Sequence, residues 1–323
     1  MFTLILQELV VGITAGAIYS LIALGYTMVY GIIELINFAH GDIFMIGSLV
    51  GLTILGLLGV VSGVHPTGLT LVGVLVVGVF GSMLVCAALG VVIERVAYRP
   101  LRNAPRLAPL ISAIGVSLIL EDIGKLWKGV NFVVFPQIFP NISFIWGPIN
   151  ISAVSILVIV VSLTLMVALQ WLVTSTRIGR AMRAVAQDRE AAALMGVNVD
   201  RIIAITFFIG ASLAGAAGFI YGLQAGSTAF HLGYEFGLIA FTAAVLGGIG
   251  NLVGAMLGGI VIGIVEALAT LIPDSNSSNL FGLPFGLPHG GAAWHEAIIF
   301  AILILILVFR PSGLLGQRTP EKV

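Results

Sequence analysis

Four polar residues stand where hydrocarbon is expected. Asn37, His40 and Asp42 lie in the stretch Glu34-Leu35-Ile36-Asn37-Phe38-Ala39-His40-Gly41-Asp42, between two apolar runs, and Glu266 sits inside the run VIGIVEALATL. An amide, an imidazole and two carboxylates supply donors, acceptors and negative charge, which suits a route for a zwitterion. An ionisable group in a membrane is costly, so Glu266 must face protein or water. It pairs either with a partner subunit or with a polar residue of this chain. Asn37, His40 and Asp42 have two open roles. They line a solute pathway, helped by the dipoles of half-helix ends, or they cap and pin a break in the chain.

Bond-making chemistry finds little to work with. A phosphate-binding P-loop needs a lysine followed by Ser or Thr after a glycine-rich run. The lysines here, Lys125, Lys128 and Lys322, are followed by Leu126, Gly129 and Val323. No ATP site is expected on this chain. His289, His295 and Glu296 lack the spacing of a zinc site, so no metal is expected either. Ser48 and Ser212 lie in apolar runs without an obvious base, and no catalytic residue is assigned. The single cysteine, Cys86, reads as a small buried hydrophobe.

The longest charged island is RIGRAMRAVAQDREAAALMGVNVDR, residues 177–201, with five arginines, one glutamate and two aspartates. Ile178, Met182, Val185 and Ala186 fall at helical spacing and predict one face of a short amphipathic helix. Asp188 can N-cap a second turn, Glu190 lies near that turn's positive dipole end, and Gly196 can close it in left-handed geometry. A solvated cytoplasmic loop explains the arginines alone. A docking knob also explains why Ala181, Ala184, Ala191, Ala192 and Ala193 keep the surface small.

The elements that must position these residues are membrane helices. The chain is 59% hydrophobic and 9% charged, where soluble domains carry roughly a quarter charged residues. A span needs about 20 mostly apolar residues, and many such runs occur. The fold class expected is all-α, a polytopic transmembrane bundle of eight or nine spans with broken helices. One domain covers residues 1–323. A β-barrel pattern of alternating segments is absent, and zero net charge without a large basic cluster excludes a nucleic-acid partner.

The first apolar run, Leu4–Ile33, is too long for one untilted helix and predicts a tilt or a break near Gly25 or Gly31. The polar stretch 34–42 has no basic residue beside it, which places it within or near the membrane rather than in a surface loop. Helices are expected over about 43–58, 71–93, 107–126, 151–172 and 202–223. A pair over 236–250 and 252–272 hinges at Gly247-Gly248-Ile249-Gly250-Asn251, and a last helix covers 296–309. Glu121 and Lys125 are four apart and can pair. The segment 129–150 suits an outer interfacial loop or a short strand pair. Glycines four apart, such as Gly12/Gly16 and Gly259/Gly263, read as close helix packing. The segments 37–51 and 250–263 both place an Asn near a Gly-rich turn that opens a helix, which hints at paired interrupted helices.

Charge sets the orientation. Arg95, Arg99, Arg102 and Arg106, the five loop arginines, and Arg310, Arg318 and Lys322 fall on the inner side. Only Lys125 and Lys128 are left outside, as the positive-inside rule requires. With the C-terminus in the cytoplasm, parity puts the N-terminus outside if every span, broken helices counted, crosses fully. On this topology Ala186 is inside and Ser277 outside.

The residues Glu190-Ala191-Ala192, followed after three residues by Gly196, resemble the EAA loop of bacterial ABC-importer permeases. The match is partial, because that pattern continues with Ile-x-Leu-Pro where this chain reads Thr206-Phe207-Phe208-Ile209. GITAGAIYSLIALGYTMVYGIIELINFAHGDIFMIG, VIERVAYRPLR, STRIGRAMRAVAQDREAAALMGVN and AAVLGGIGNLVGAMLGG are similar to the H-type permease of high-affinity branched-chain amino-acid ABC importers. The resemblance implies a bacterial inner-membrane permease subunit for Leu, Ile, Val or other neutral amino acids. It implies a second permease of similar fold, two ATPase subunits that hold ATP and Mg, and an extracytoplasmic amino-acid-binding protein. It makes 177–201 the coupling loop, with Arg180, Arg183, Glu190, Ala191, Ala192 and Gly196 toward the ATPase. Alternatives are a urea or short-amide permease of the same superfamily and an autonomous channel or secondary transporter.

Overall fold

The structure is a computed structural model that describes residues 2–61, 63, 65–102, 104–105, 107–139, 142–147, 149–273, 287–310 and 312–316. Arg106, Ser277, Arg318 and Lys322 lie outside the described residues. Eleven α-helices and four short strands are described: α1 Phe2–Ile33, α2 His40–Leu57, α3 Gly68–Ile93, α4 Leu107–Lys128, β1 Val133–Val134, β2 Ser143–Trp146, β3 Ile149–Ser152, α5 Ala153–Ser175, α6 Arg177–Gln187, α7 Arg189–Leu194, α8 Val199–Ala225, β4 Ser227–Thr228, α9 Leu232–Gly247, α10 Leu252–Ala269 and α11 His295–Phe309. Eight helical stretches among the described residues are long and apolar enough to cross a membrane, and α9 is a shorter apolar helix. This is a multi-pass helical bundle.

Five helices, α1, α2, α8, α9 and α10, form its centre. α1 lies antiparallel to α10 at backbone contact. A Cβ on Gly12 or Gly16 would stand 2.7 Å from the Cα of Ile264 or Ile260. Small residues at such crossings let dispersion act between helices where lipid gives no hydrophobic drive. α2 crosses α8 the same way, with Gly47 against Gly215. The remaining long helices α3, α4, α5 and α11 pack around this centre and leave apolar side chains outward, such as Phe80, Ile119, Trp171 and Val308. A hydrocarbon solvent tolerates that surface; water would not.

α1 runs unbroken through Gly25 and Gly31, which corrects the expected break. The glycines serve close approach instead. A Cβ on Gly25 would meet the His40 ring at 2.1 Å, and one on Gly31 would come within 3.5 Å of Gly250. At about 1.5 Å per residue, α1's 32 residues exceed a bilayer core, so the helix tilts or projects. The irregular chain is shorter than the polar stretch suggests. Only residues 34–39 are non-helical, and Gly41 and Asp42 already belong to α2. Glu121 and Lys125 form no ion pair; the ion pairs among the described residues join Arg99 and Arg102 to Glu94 and Asp200.

The basic segments gather at one end of the bundle. Arg99 and Arg102 reach Asp200, Arg189 reaches Ile32, Gly31 faces Gly250, and Leu314 and Leu315 bond to Leu246 and Gly247. At the other end β1 pairs with β4, and β2 pairs with β3 as an antiparallel hairpin. The hairpin residue Asn150 bonds Gln7 near the start of α1. The strand pair expected over 129–150 is therefore present, extended to Ser152.

Candidate functional site

The loop 177–201 is built from local caps. Thr176 turns the chain out of α5 and its hydroxyl accepts from the N–H of Gly179, opening α6. Asp188 accepts from the N–H groups of Glu190 and Ala191, opening α7 as its position predicts. Gly196 ends that turn at φ 83°, a conformation that costs an L side chain. Asn198 then caps α8 through the N–H of Arg201. Each cap satisfies donors that a helix start leaves orphaned.

The two short helices differ in what they bury. α6 turns Gly179, Met182 and Val185 inward. Ile178 and Ala186, read as part of the same face, are exposed. α7 seats Ala192 against the bundle and turns Ala191, Ala193, Leu194 and Met195 outward. Leu194 is 89% and Met195 84% exposed. Of the residues assigned to coupling, Arg180, Glu190, Ala191 and Gly196 are on the surface, while Ala192 is beneath it. Arg183 donates to the carbonyls of Val173 and Thr174 at the C-terminal end of α5. A cation there complements the helix dipole.

The polar break lies deeper. Asn37, His40 and Asp42 are each no more than 2% exposed. The side-chain oxygen of Asn37 accepts from the Tyr98 hydroxyl at 3.1 Å. The His40 ring meets the Tyr26 ring edge-on at 4.8 Å. Asp42 accepts from the Ser117 hydroxyl on α4 and packs on Gly233 of α9. Asn37 Nδ2 and His40 Nε2 have no partner. None of these side chains caps α2, whose capping residue Ala39 offers no side-chain bond. Asn251, the matching residue before α10, does cap its helix, through the N–H of Gly254. The two asparagines thus do different work.

Glu266 stands apart from the break. It accepts from the Tyr19 hydroxyl at 2.6 Å, so its partner belongs to this chain. It is half-buried, beside an aromatic group in which Phe236 lies 5.7 Å from Tyr19 and 4.5 Å from Tyr221. No group of three or more His, Cys, Asp or Glu among the described residues could hold a metal ion.

A cleft of about 460 Å³ separates the break from the loop, lined by Ile32, Glu34, Arg102, Pro109, Asp188 and Arg189 among others. Arg189 Nη2 donates to the carbonyl of Ile32 at 2.9 Å across it. Arg189, Tyr98, Asp200 and Thr176 were not singled out by sequence reasoning. Thr176 was within reach, as a Thr between an apolar run and a helical pattern. The other three act across long sequence separations and leave no local signal.

A family model described as branched-chain amino acid transport system / permease component matches residues 9–307. The high-affinity branched-chain amino acid transport system permease protein BraD of Pseudomonas aeruginosa is 43% identical over 324 residues, covering 98% of each chain. The corresponding permease protein LivH of Escherichia coli is 41% identical over 326 residues, covering 100% of this chain and 99% of its own. A probable branched-chain amino acid transport permease protein LivH of Methanocaldococcus jannaschii is 30% identical over 199 residues, covering 61% of this chain and 60% of its own. No solved structure matches the chain.

Proposed function

This chain belongs to the branched-chain amino acid transport permease family, and from that premise we propose that it is the membrane subunit of an importer driven by separate ATPase chains. The cargo is Leu, Ile or Val, as the relatives' names indicate; a urea or amide cargo is not favoured by them. ATP and Mg are held by two partner ATPase subunits. A second permease of similar fold and an extracytoplasmic amino-acid-binding protein complete the system. The bundle sits in a bacterial inner membrane with the loop 177–201 and the C-terminus in the cytoplasm and the N-terminus outside. The clustering of the basic segments at one end supports that orientation.

One observation supports docking above all: α7 presents Leu194 and Met195 almost fully exposed, on a turn fixed at both ends by Asp188 and Gly196. A rigid apolar tip on the basic side fits a groove in another protein better than it fits water. A solitary channel gives that tip no role. Glu266 is the pathway candidate with exposed surface, and its pairing with Tyr19 holds the carboxylate toward the α1–α10 crossing. For Asn37, His40 and Asp42, their burial supports a pinning role.

The experiment is purification of the tagged chain from its own operon's products, with leucine uptake in proteoliposomes. Co-purified ATPase chains and ATP-dependent uptake are expected; stable solitary transport defeats the reading. In a Cys86→Ala background, cysteines at Ala186 and Val130 should label from the inside and the outside respectively, and the reverse pattern refutes the orientation.

A further inference from the structure

The segment Glu94–Arg102 holds more than its charge. Glu94 is 1% exposed, and a buried carboxylate persists only when paired. Its partner is Arg102, whose guanidinium also donates to Asp200. Arg99 donates to the second oxygen of Asp200. Asp200 is in the first turn of α8, where the loop 177–201 rejoins the membrane. Between Glu94 and Arg99 the chain makes a wide π-helical turn that presents Tyr98. The Tyr98 ring packs on Phe207 of α8 at 5.2 Å, and its hydroxyl reaches the carbonyl of Ile36 at 3.3 Å and the side-chain oxygen of Asn37 at 3.1 Å. At the loop's other arm, Arg189 holds the carbonyl of Ile32.

We propose that the loop grips the connection between α1 and α2 at two points: Arg189 on Ile32 at the end of α1, and Asp200, through Arg99, Arg102 and Tyr98, on Ile36 and Asn37. This rests on the docking reading of the loop. Between the two grips lies Glu34 at φ 57°, a left-handed conformation that non-glycine residues adopt only when their surroundings hold them there. The cleft beside it leaves room for the chain to turn. Displacement of the loop by an ATPase therefore moves residues 32–37 and the foot of α2, as well as α5 and α8. Tyr98, Arg99 and Asp200 are positioning residues for transport; none touches the solute.

Contiguity in space is not coupling, so the test measures coupling directly. The full complex with its ATPase and binding-protein partners is reconstituted, and leucine moved per ATP hydrolysed is recorded. Tyr98→Phe removes one hydroxyl and keeps the ring on Phe207. Arg99→Gln breaks a pair whose side chains are 51% and 49% exposed, and such pairs contribute little to stability. Both variants should hydrolyse ATP at the unmutated rate, Arg99→Gln with its melting temperature kept and Tyr98→Phe with a small fall from the buried acceptor left unpaired, while leucine per ATP falls by about fivefold or more. Arg99→Lys, which keeps the charge, should restore most of the ratio. A purely structural role lowers melting temperature, hydrolysis and transport together at constant ratio, and that result overturns the grip. Gly196→Val run in parallel separates the two readings. If it loses the ATPase chains while Tyr98→Phe and Arg99→Gln keep the ratio, docking stands and the grip falls. If it keeps the ATPase chains, docking falls and the grip with it.

Discussion

The loop 177–201 and the break 34–39 are both interruptions between membrane helices, yet they are held by opposite means. The turns of the loop are set by its own neighbours in sequence, since Thr176, Asp188, Gly196 and Asn198 each bond or turn within three residues, while Arg189 and Asp200 tie its two arms to Ile32, Arg99 and Arg102. Its outer surface is left free. The break closes locally through backbone bonds, Glu34 N–H to Tyr30 and His40 N–H to Asn37, and has no side-chain cap at its end. The groups in and beside it are met from afar: Ile36 and Asn37 by Tyr98, Ile32 at the end of α1 by Arg189, and Gly41 and Asp42 at the start of α2 by Ser117 and the glycines of α9. An exposed loop can leave backbone groups to solvent, whereas polar groups buried between helices must find protein partners.

The strongest attack on this contrast is at Gly41. A Cβ there would stand 2.2 Å from the carbonyl oxygen of Gly233 and 2.7 Å from the Cα of Gly237, both backbone. Gly41→Val should cost roughly 3 kcal/mol or more and leave little folded protein by size-exclusion profile and melting in detergent. Normal yield would show that the start of α2, beside the break, is not held by tight packing.

Gly196→Val comes next. Its cost is about 1–2 kcal/mol for a side chain in left-handed geometry, and no atom lies within 4 Å of the added Cβ. Membrane insertion should be unchanged by immunoblot while leucine uptake falls at least about tenfold, a barrier change near 1.4 kcal/mol. Glu190→Lys, which reverses charge at the same exposed turn, should act in the same direction. Uptake at the unmutated rate in both would remove the loop's coupling role.

Asp188→Ala removes the acceptor for two N–H groups and should lower stability by about 1 kcal/mol, read as a fall in melting temperature. No change would mean that α7 is held by packing rather than by its cap. The smallest effect on the isolated chain belongs to Leu194→Ser, at most about 0.5 kcal/mol either way. The same variant should reduce recovery of ATPase chains on purification. A large loss of stability instead would mean that Leu194 packs within this chain.

The contrast also explains which parts were legible beforehand. The α7 cap and its glycine stop were read correctly because the signal is a residue type at a fixed offset from the turn it closes. The hinge between α9 and α10 was legible in Gly247-Gly248-Ile249-Gly250-Asn251 for the same reason. The face of α6 was read with Ile178 and Ala186, which are exposed, and without Gly179, which is buried, since spacing cannot say which positions a neighbour covers. α1 was expected to tilt or to break near Gly25 or Gly31, and it does not break. Glycine weakens a helix in isolation, but there the facing His40 ring and Gly250 use the space it leaves.

The amino-acid sequence by itself determined that the chain is a multi-pass helical bundle with a basic, capped loop on one side. Apolar content, charge placement and capping are properties of short stretches, and the bilayer reads them stretch by stretch. Tertiary structure alone decided that Arg99 and Arg102 meet Glu94 and Asp200, that Tyr98 meets Ile36 and Asn37, that Arg189 meets Ile32, and that Glu266 meets Tyr19. Those contacts depend on where whole helices cross, and the crossings are set by glycine pairs whose partners lie up to hundreds of residues away.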